Sequence, residues 1–282
     1  MAYKFEFFTK DIQYQGHNVQ TYALGSGQTT VFSFPSFPHS GLMYMWFLNH
    51  YDLSKIRFIT FDLPGWIGHS DNFFEQQPFK MPTLINLAKT ILRDYQIKEF
   101  NLIGYSFGGA LALMLNQALP KETKKIVLVS SVINGQLNQN DAIVRFINLL
   151  SKLRRIKGVG YLFAKYVQRR FNYYKQELVK LGAPVNELSL YEGMLKGISG
   201  NTLIDSITTL FNNDWSQFLT GLEQKEVMIV NSKDESPLFR KQAEYLRKHL
   251  QNERSLFFHG SHEDFVLKPK SEIVKQVVRF LH

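Results

Sequence analysis

The sequence predicts an α/β protein: a mostly parallel central sheet with helices on both faces. Two observations predict it. Short, continuous apolar runs alternate with segments of helical periodicity, the pattern of strands covered on both faces by the helices that connect them. The alternation stops after Val132 and resumes near Glu226, so a helical segment interrupts the sheet. The expected division is a core of residues 1–134 and 216–282, with residues 135–215 inserted as a helical unit.

Each element follows from its residues. The opening stretch KFEFFTKDIQYQGHNVQTYALGSG reads as β structure, with Gly16 and Asn18 supplying a turn and Gly25 and Gly27 ending the second strand. TTVFSF (29–34) is a buried strand followed by the proline-rich PSFPHS, and GLMYMWFLNHY (41–51) reads as helical. KIRFITF is a strand stopped by Pro64 and Gly65. PTLINLAKTILRDYQI starts a helix near Pro82, with Leu84, Leu87, Ala88, Ile91 and Leu92 on one face. EFNLIGY is a strand, SFGGALALMLNQALP a helix ended by Pro120, and KKIVLVSS another strand. After the insertion come EVMIVNS (strand), SPLFRKQAEYLRKHL (helix), RSLFFHG (strand) and SEIVKQVVRFL (helix).

Composition removes several classes of function. Apolar residues make up 44% of the 282, enough for a sizeable core, and 20% charged residues argue against disorder. With no cysteine, there can be no disulfide, zinc–thiolate site or thiol nucleophile. The start MAYKFEFFTKD has no apolar signal region, and no run approaches the ~18 residues of a membrane span. A soluble, cytoplasmic protein is expected. The net charge of +9 is concentrated: residues 141–180 hold ten Lys/Arg and two Asp/Glu, leaving 23 and 22 elsewhere. That segment is a candidate for contact with an anionic surface, an acidic partner or an anionic substrate. No nucleic-acid motif accompanies the charge, so nucleic acid is not expected.

Gly104-Tyr105-Ser106-Phe107-Gly108 fits G-x-S-x-G, in which a strand turns sharply into a helix and lifts a serine hydroxyl above the sheet. About 0.1 matches arise by chance in a chain this long, so the strand before and the helix after carry the weight. A serine needs a base, and the base needs a group to orient it. Asp234 and Glu235 follow one strand, and either could orient a histidine. His259 and His262 follow the next, with His262 farther past the strand end. The order Ser106, Asp234, His262 is the chain order expected for this elbow.

With these residues in hand, the sequence resembles the α/β-hydrolase superfamily over nearly its whole length. FDLPGWIGHSD is similar to that family's D-x-P-G-x-G-x-S segment after the fourth strand, NSKDESP to its acid loop and HGSHEDFVLKP to its histidine loop. The resemblance implies the α/β-hydrolase fold, with Ser106 as nucleophile, Asp234 as acid, His262 as base and residues 135–215 as the helical cap. Asp62 would anchor its turn and take no part in chemistry. One motif departs: Pro35-Ser36 stands where the family has His-Gly after its third strand. The oxyanion-hole amides are then expected from Phe37 and Phe107, with a shift to Ser36 as the alternative register; Pro38 has no N–H.

The activity implied is hydrolysis of a carboxylic ester, with an apolar acyl or alkyl part, through an acyl-enzyme. The same triad could serve amide, peptide or C–C bond hydrolysis or cofactor-free perhydrolysis, and the altered loop leaves open a non-catalytic binding protein. No cofactor is expected, since neither a dinucleotide fingerprint nor a P-loop is present. No metal is expected, because His259, His262, Glu263 and Asp264 lack the i, i+4 histidine pairing of a helical zinc site. The stretches FPSF and YMWF, with Trp66, are candidate pocket walls. Ile143, Phe146, Ile147, Leu150 and Leu153 form a stripe expected to pack over the site, with Arg145, Lys152 and Arg155 on a solvated face.

Overall fold

The computed structural model describes residues 7–44, 48, 53–180, 193–195, 197–250, 253–268 and 270–282. Eight strands form one sheet: β1 (Phe7–Tyr14), β2 (His17–Leu24), β3 (Thr29–Phe34), β4 (Ile56–Phe61), β5 (Phe100–Tyr105), β6 (Thr123–Val129), β7 (Glu226–Ser232) and β8 (Glu253–Phe258). Their order is β1-β2-β4-β3-β5-β6-β7-β8. β2 pairs antiparallel with both β1 and β4, and every other pairing is parallel. The β1–β2 hairpin closes on Gln15 and Gly16, both at positive φ (52° and 81°), the geometry of a turn that matches strand twist.

The central strands read as continuous apolar runs because both their faces are covered. Leu102 of β5 joins the core on one face, while Ile103 and Tyr105 join the core on the other. The first core is closed by α1 (Met81–Asp94) and α2 (Phe107–Ala118), the second by the helix at Ser271–Leu281. In α1, Leu84, Leu87, Ala88, Ile91 and Leu92 are buried, as their spacing predicts, and Pro82 sits in the first turn. Of the helix expected over residues 41–51, Gly41–Tyr44 forms a 3₁₀ turn; most of the remainder lies outside the described residues.

Between β6 and β7 the described residues form helices: α3 (Ala142–Leu153), α4 (Val159–Lys180) and α5 (Gly200–Asn212). Asp141 caps α3 by accepting from Ile143 N–H, and Ser199 caps α5 by accepting from Thr202 N–H. α4 crosses α5 at two glycines, so close that a Cβ on Gly200 would lie 1.7 Å from Gly160 O. The stripe expected to cover the site does not behave as one unit. Of its five residues Ile147 is buried and Leu150 half-buried, but Ile143, Phe146 and Leu153 are exposed; beside the stripe, Val144 is buried and Leu149 exposed. The apolar arc of α3 is wider than the surface it meets on α5, and the surplus faces outward.

Gln242, from α6 (Pro237–His249), fastens the entrance of this insertion. Its Oε1 accepts from Ile133 N–H (2.8 Å) and Asn134 N–H (2.9 Å), and its Nε2 donates to Asn134 O (2.6 Å) and Asn138 Oδ1. The exit is joined to the entrance by the Asn134–Asp214 bridge. Gln242→Leu keeps the bulk and strands several buried backbone groups, so a loss of about 3 kcal/mol in urea unfolding is expected. A loss below about 1 kcal/mol would mean that these bonds do not hold the insertion.

Candidate active site

The C-terminal ends of β5, β6, β7 and β8 deliver the candidate residues to one edge of the sheet. Ser106 follows β5 with φ 52° and ψ −110°, a conformation most L residues avoid, and precedes the first residue of α2. Backbone of this kind costs about 1–3 kcal/mol and persists where its surroundings over-determine it. Here Ser106 N–H donates to Val129 O (2.8 Å), and Ser106 O accepts from Gly109 N–H and Val132 N–H. Gly108 is required by a close approach: a Cβ there would lie 2.4 Å from Phe34 O.

His262 lies in the loop after β8. Its Nδ1 is 3.0 Å from Glu235 Oε1, and the glutamate side chain is 1% exposed. The same oxygen accepts from Ser130 Oγ at 2.5 Å. The imidazole stacks on Phe239, with centroids 3.9 Å apart. Tyr105, next to Ser106, donates its hydroxyl to His262 O, so the serine strand and the histidine loop are tied directly.

Asp234, the carboxylate expected beside His262, contacts a different histidine. Asp234 pairs with His259 (Nδ1 to Oδ2, 3.3 Å) on the surface and accepts from Gly260 N–H. The Gly260 amide, followed by the His259 ring, holds its carboxyl below the usual aspartate range. The turn explains the exchange. Asp234 N–H donates to Ser232 Oγ, which donates in turn to Gly260 O, leaving Glu235 as the carboxylate that enters the sheet edge. Ser130, at φ 41° after β6, went unassigned in the sequence, although the first of two adjacent serines following an apolar run was a visible signal.

Phe37 and Phe107 face a shared neighbour. Trp66 packs edge-to-face against Phe37 (5.1 Å) and against Phe107 (4.8 Å), and its Nε1 donates to Ser206 Oγ of α5. Trp66 is packed in the core, at 2% exposure. Ser36 N–H donates to Met43 Sδ, which commits that amide and disfavours the Ser36 register. Of YMWF, Tyr44 is buried with its hydroxyl on Phe34 O, and the other three residues lie outside the described set. Asp62 accepts from Tyr22, Ser40, Gly41 and His69, and burial raises its pKa against those donors. It pins the loop that carries Trp66.

A cavity of about 160 Å³ opens beside this edge, lined by Phe37, Pro38, His39 and Ile67 from the core and by Phe163 and Tyr166 among others from α4. His39 was not singled out in the sequence. Burial lowers its pKa to about 4, opposed by Glu263 and assisted by His262 and Arg170. Among the described residues no group of three or more His, Asp or Glu side chains could hold a metal ion.

Comparison with known proteins follows the same lines. The model of the alpha/beta hydrolase fold family matches residues 29–269. A poly(3-hydroxyalkanoate) depolymerase of Ectopseudomonas oleovorans is 34% identical over 76 residues, 27% of this chain and 26% of that one. An esterase/lipase-type protein of Mycoplasma genitalium is 31% identical over 77 residues, 27% of this chain and 28% of that one. The matches thus span only about a quarter of these curated relatives. An esterase from Exiguobacterium antarcticum superposes with a TM-score of 0.69 over 97% of this chain and 99% of its own, at 18% identity, a likeness of fold.

His39, half-buried at the cavity wall, makes stability depend on pH. A base whose pKa is lower in the folded state takes up protons more readily when unfolded. Its contribution is whole above its usual 6.5 and is lost as pH falls toward 4. Wild type should lose up to about 3 kcal/mol across that window, and His39→Gln distinctly less. Equal losses, measured by urea titration at each pH, would contradict this assignment.

Proposed function

The chain belongs to the α/β-hydrolase fold family, and on that premise we propose that it is a serine hydrolase of carboxylic esters. Ser106 is the nucleophile, His262 the base and Glu235 the group that orients the base. The observation that carries this reading is the buried 3.0 Å contact between His262 Nδ1 and Glu235, at the sheet edge where Ser106 occupies strained backbone. Holding Nδ1 on a carboxylate fixes the tautomer and leaves Nε2 free of the proton, as a base for the serine requires.

In the proposed reaction Ser106 Oγ attacks the ester carbonyl carbon while His262 takes its proton. The tetrahedral oxyanion accepts from the N–H groups of Phe37 and Phe107. Phe107 is the first residue of α2, so its N–H has no partner within the helix and lies at the positive end of the dipole. The imidazolium formed is stabilised by Glu235 and returns its proton to the departing alcohol. Water, activated by the same histidine, then attacks the acyl-enzyme and frees Ser106.

Residues 135–215 serve as a cap in this reading, with α4 forming one wall of the cavity. The apolar and aromatic side chains lining that cavity suit an apolar acyl or alkyl group. Its mixed wall, aromatic on both sides with His39 at the edge, suits an apolar group with a polar end.

Three substitutions test the assignment on a short chromogenic ester. Ser106→Ala should abolish turnover. Glu235→Gln should lower kcat about a thousandfold to ten-thousandfold, while Asp234→Asn stays within about threefold of wild type. Activity retained by Ser106→Ala would remove the serine mechanism. A severe loss in Asp234→Asn with a mild one in Glu235→Gln would return the orienting role to the aspartate.

A further inference from the structure

Eleven large apolar side chains are markedly exposed among the described residues, and eight of them fall between Ile143 and Tyr166. Ile143, Phe146, Leu149 and Leu153 run along α3, Ile156 sits in the turn, and Tyr161, Leu162 and Tyr166 continue on α4. Several are largely uncovered: Ile156 is 57% exposed and Leu162 67%. Monomeric proteins rarely leave so many such side chains grouped without a partner. Interspersed with them are Arg145, Lys152, Arg155, Lys157, Lys165 and Arg169, all exposed. Lys165 lies over the Tyr161 ring, 5.5 Å from its centroid.

We infer that the exposed faces of α3 and α4 dock on an anionic phospholipid surface, their apolar side chains entering the headgroup boundary and their cations meeting lipid phosphates. Apolar and basic residues interleaved on exposed helices are the chemistry of an interfacial helix pair. Charge selects this occupant. A symmetric contact with a second copy would bring two patches of like charge together, whereas an anionic bilayer answers each cation with a phosphate. A small anionic substrate is disfavoured because, of the eight exposed cations described on α3, α4 and the turn between them, only Arg170 lines the cavity beside the sheet edge. No described helix is long and apolar enough to cross a membrane, so the contact is peripheral. Tyr166 belongs both to the patch and to the cavity wall, so docking would set the cavity mouth against lipid. That last consequence rests on the proposed ester site; the docking itself does not.

The test is co-sedimentation of the full chain at low salt with phosphatidylcholine vesicles, with and without phosphatidylglycerol. Binding should be about tenfold or more tighter with phosphatidylglycerol and should weaken as salt is raised. Phe146→Asp/Leu162→Asp should lose about tenfold in vesicle affinity, with the thermal midpoint and turnover of a soluble short ester unchanged. Lys152→Glu/Lys157→Glu/Lys165→Glu, which leaves the apolar patch intact, should do the same. Four outcomes would each overturn the inference. One is no binding to phosphatidylglycerol vesicles, and another is equal binding to both kinds. A third is a dimer in light scattering that Phe146→Asp/Leu162→Asp dissolves, which would make a second copy the occupant. The fourth is retention on heparin without vesicle binding, which would point to a soluble acidic partner. Loss of esterase activity in Ser106→Ala leaves vesicle binding intact, so the two readings fail separately.

Discussion

The site depends on one buried carboxylate. Glu235 is almost wholly withdrawn from water, and a charge there is tolerable only with close donors. Two are present on the same oxygen, the Ser130 hydroxyl and the His262 ring. They come from the ends of β6 and β8, and the glutamate from the end of β7, so three neighbouring strands converge on one atom. In so dry a place an imidazolium gains more from its partner than it would in water, which is what the proposed proton transfer requires.

A second convergence sits across the serine. Trp66 touches both residues proposed to supply the oxyanion amides and also hydrogen-bonds α5 of the insertion. The loop that holds Trp66 is fixed in turn by Asp62 and its four donors. Core, oxyanion loops and insertion are therefore mechanically linked. Gln242 adds a second anchor, at the entrance of the insertion. Substitutions in α5 should be felt at the sheet edge through the tryptophan, without any change in the groups that react.

The sheet was legible because runs such as Thr29–Phe34 and Phe100–Tyr105 are apolar on both faces, which only a covered parallel strand accommodates. The strand–turn–helix at Ser106 was legible because its glycine spacing, preceding strand and following helix all agree. Which carboxylate meets His262 was not. Asp234 and Glu235 are adjacent carboxylates in a turn, and which one enters the sheet edge is decided by Ser232, Gly260 and Ser130. The Ser130–Glu235 contact joins residues 105 apart and the Ser232–Gly260 contact residues 28 apart, so neither leaves a local pattern. The outward stripe of α3 escaped for a related reason: periodicity shows that a helix has an apolar face, not how much of that face its neighbours can cover.

The most direct measurement is NMR of the hydrogen-bonded imidazole N–H of His262, using isotope-labelled histidine. The account predicts a low-field Nδ1–H resonance that persists in Asp234→Asn and is lost or moved strongly in Glu235→Gln. A resonance indifferent to Glu235 and abolished by the aspartate change would contradict it.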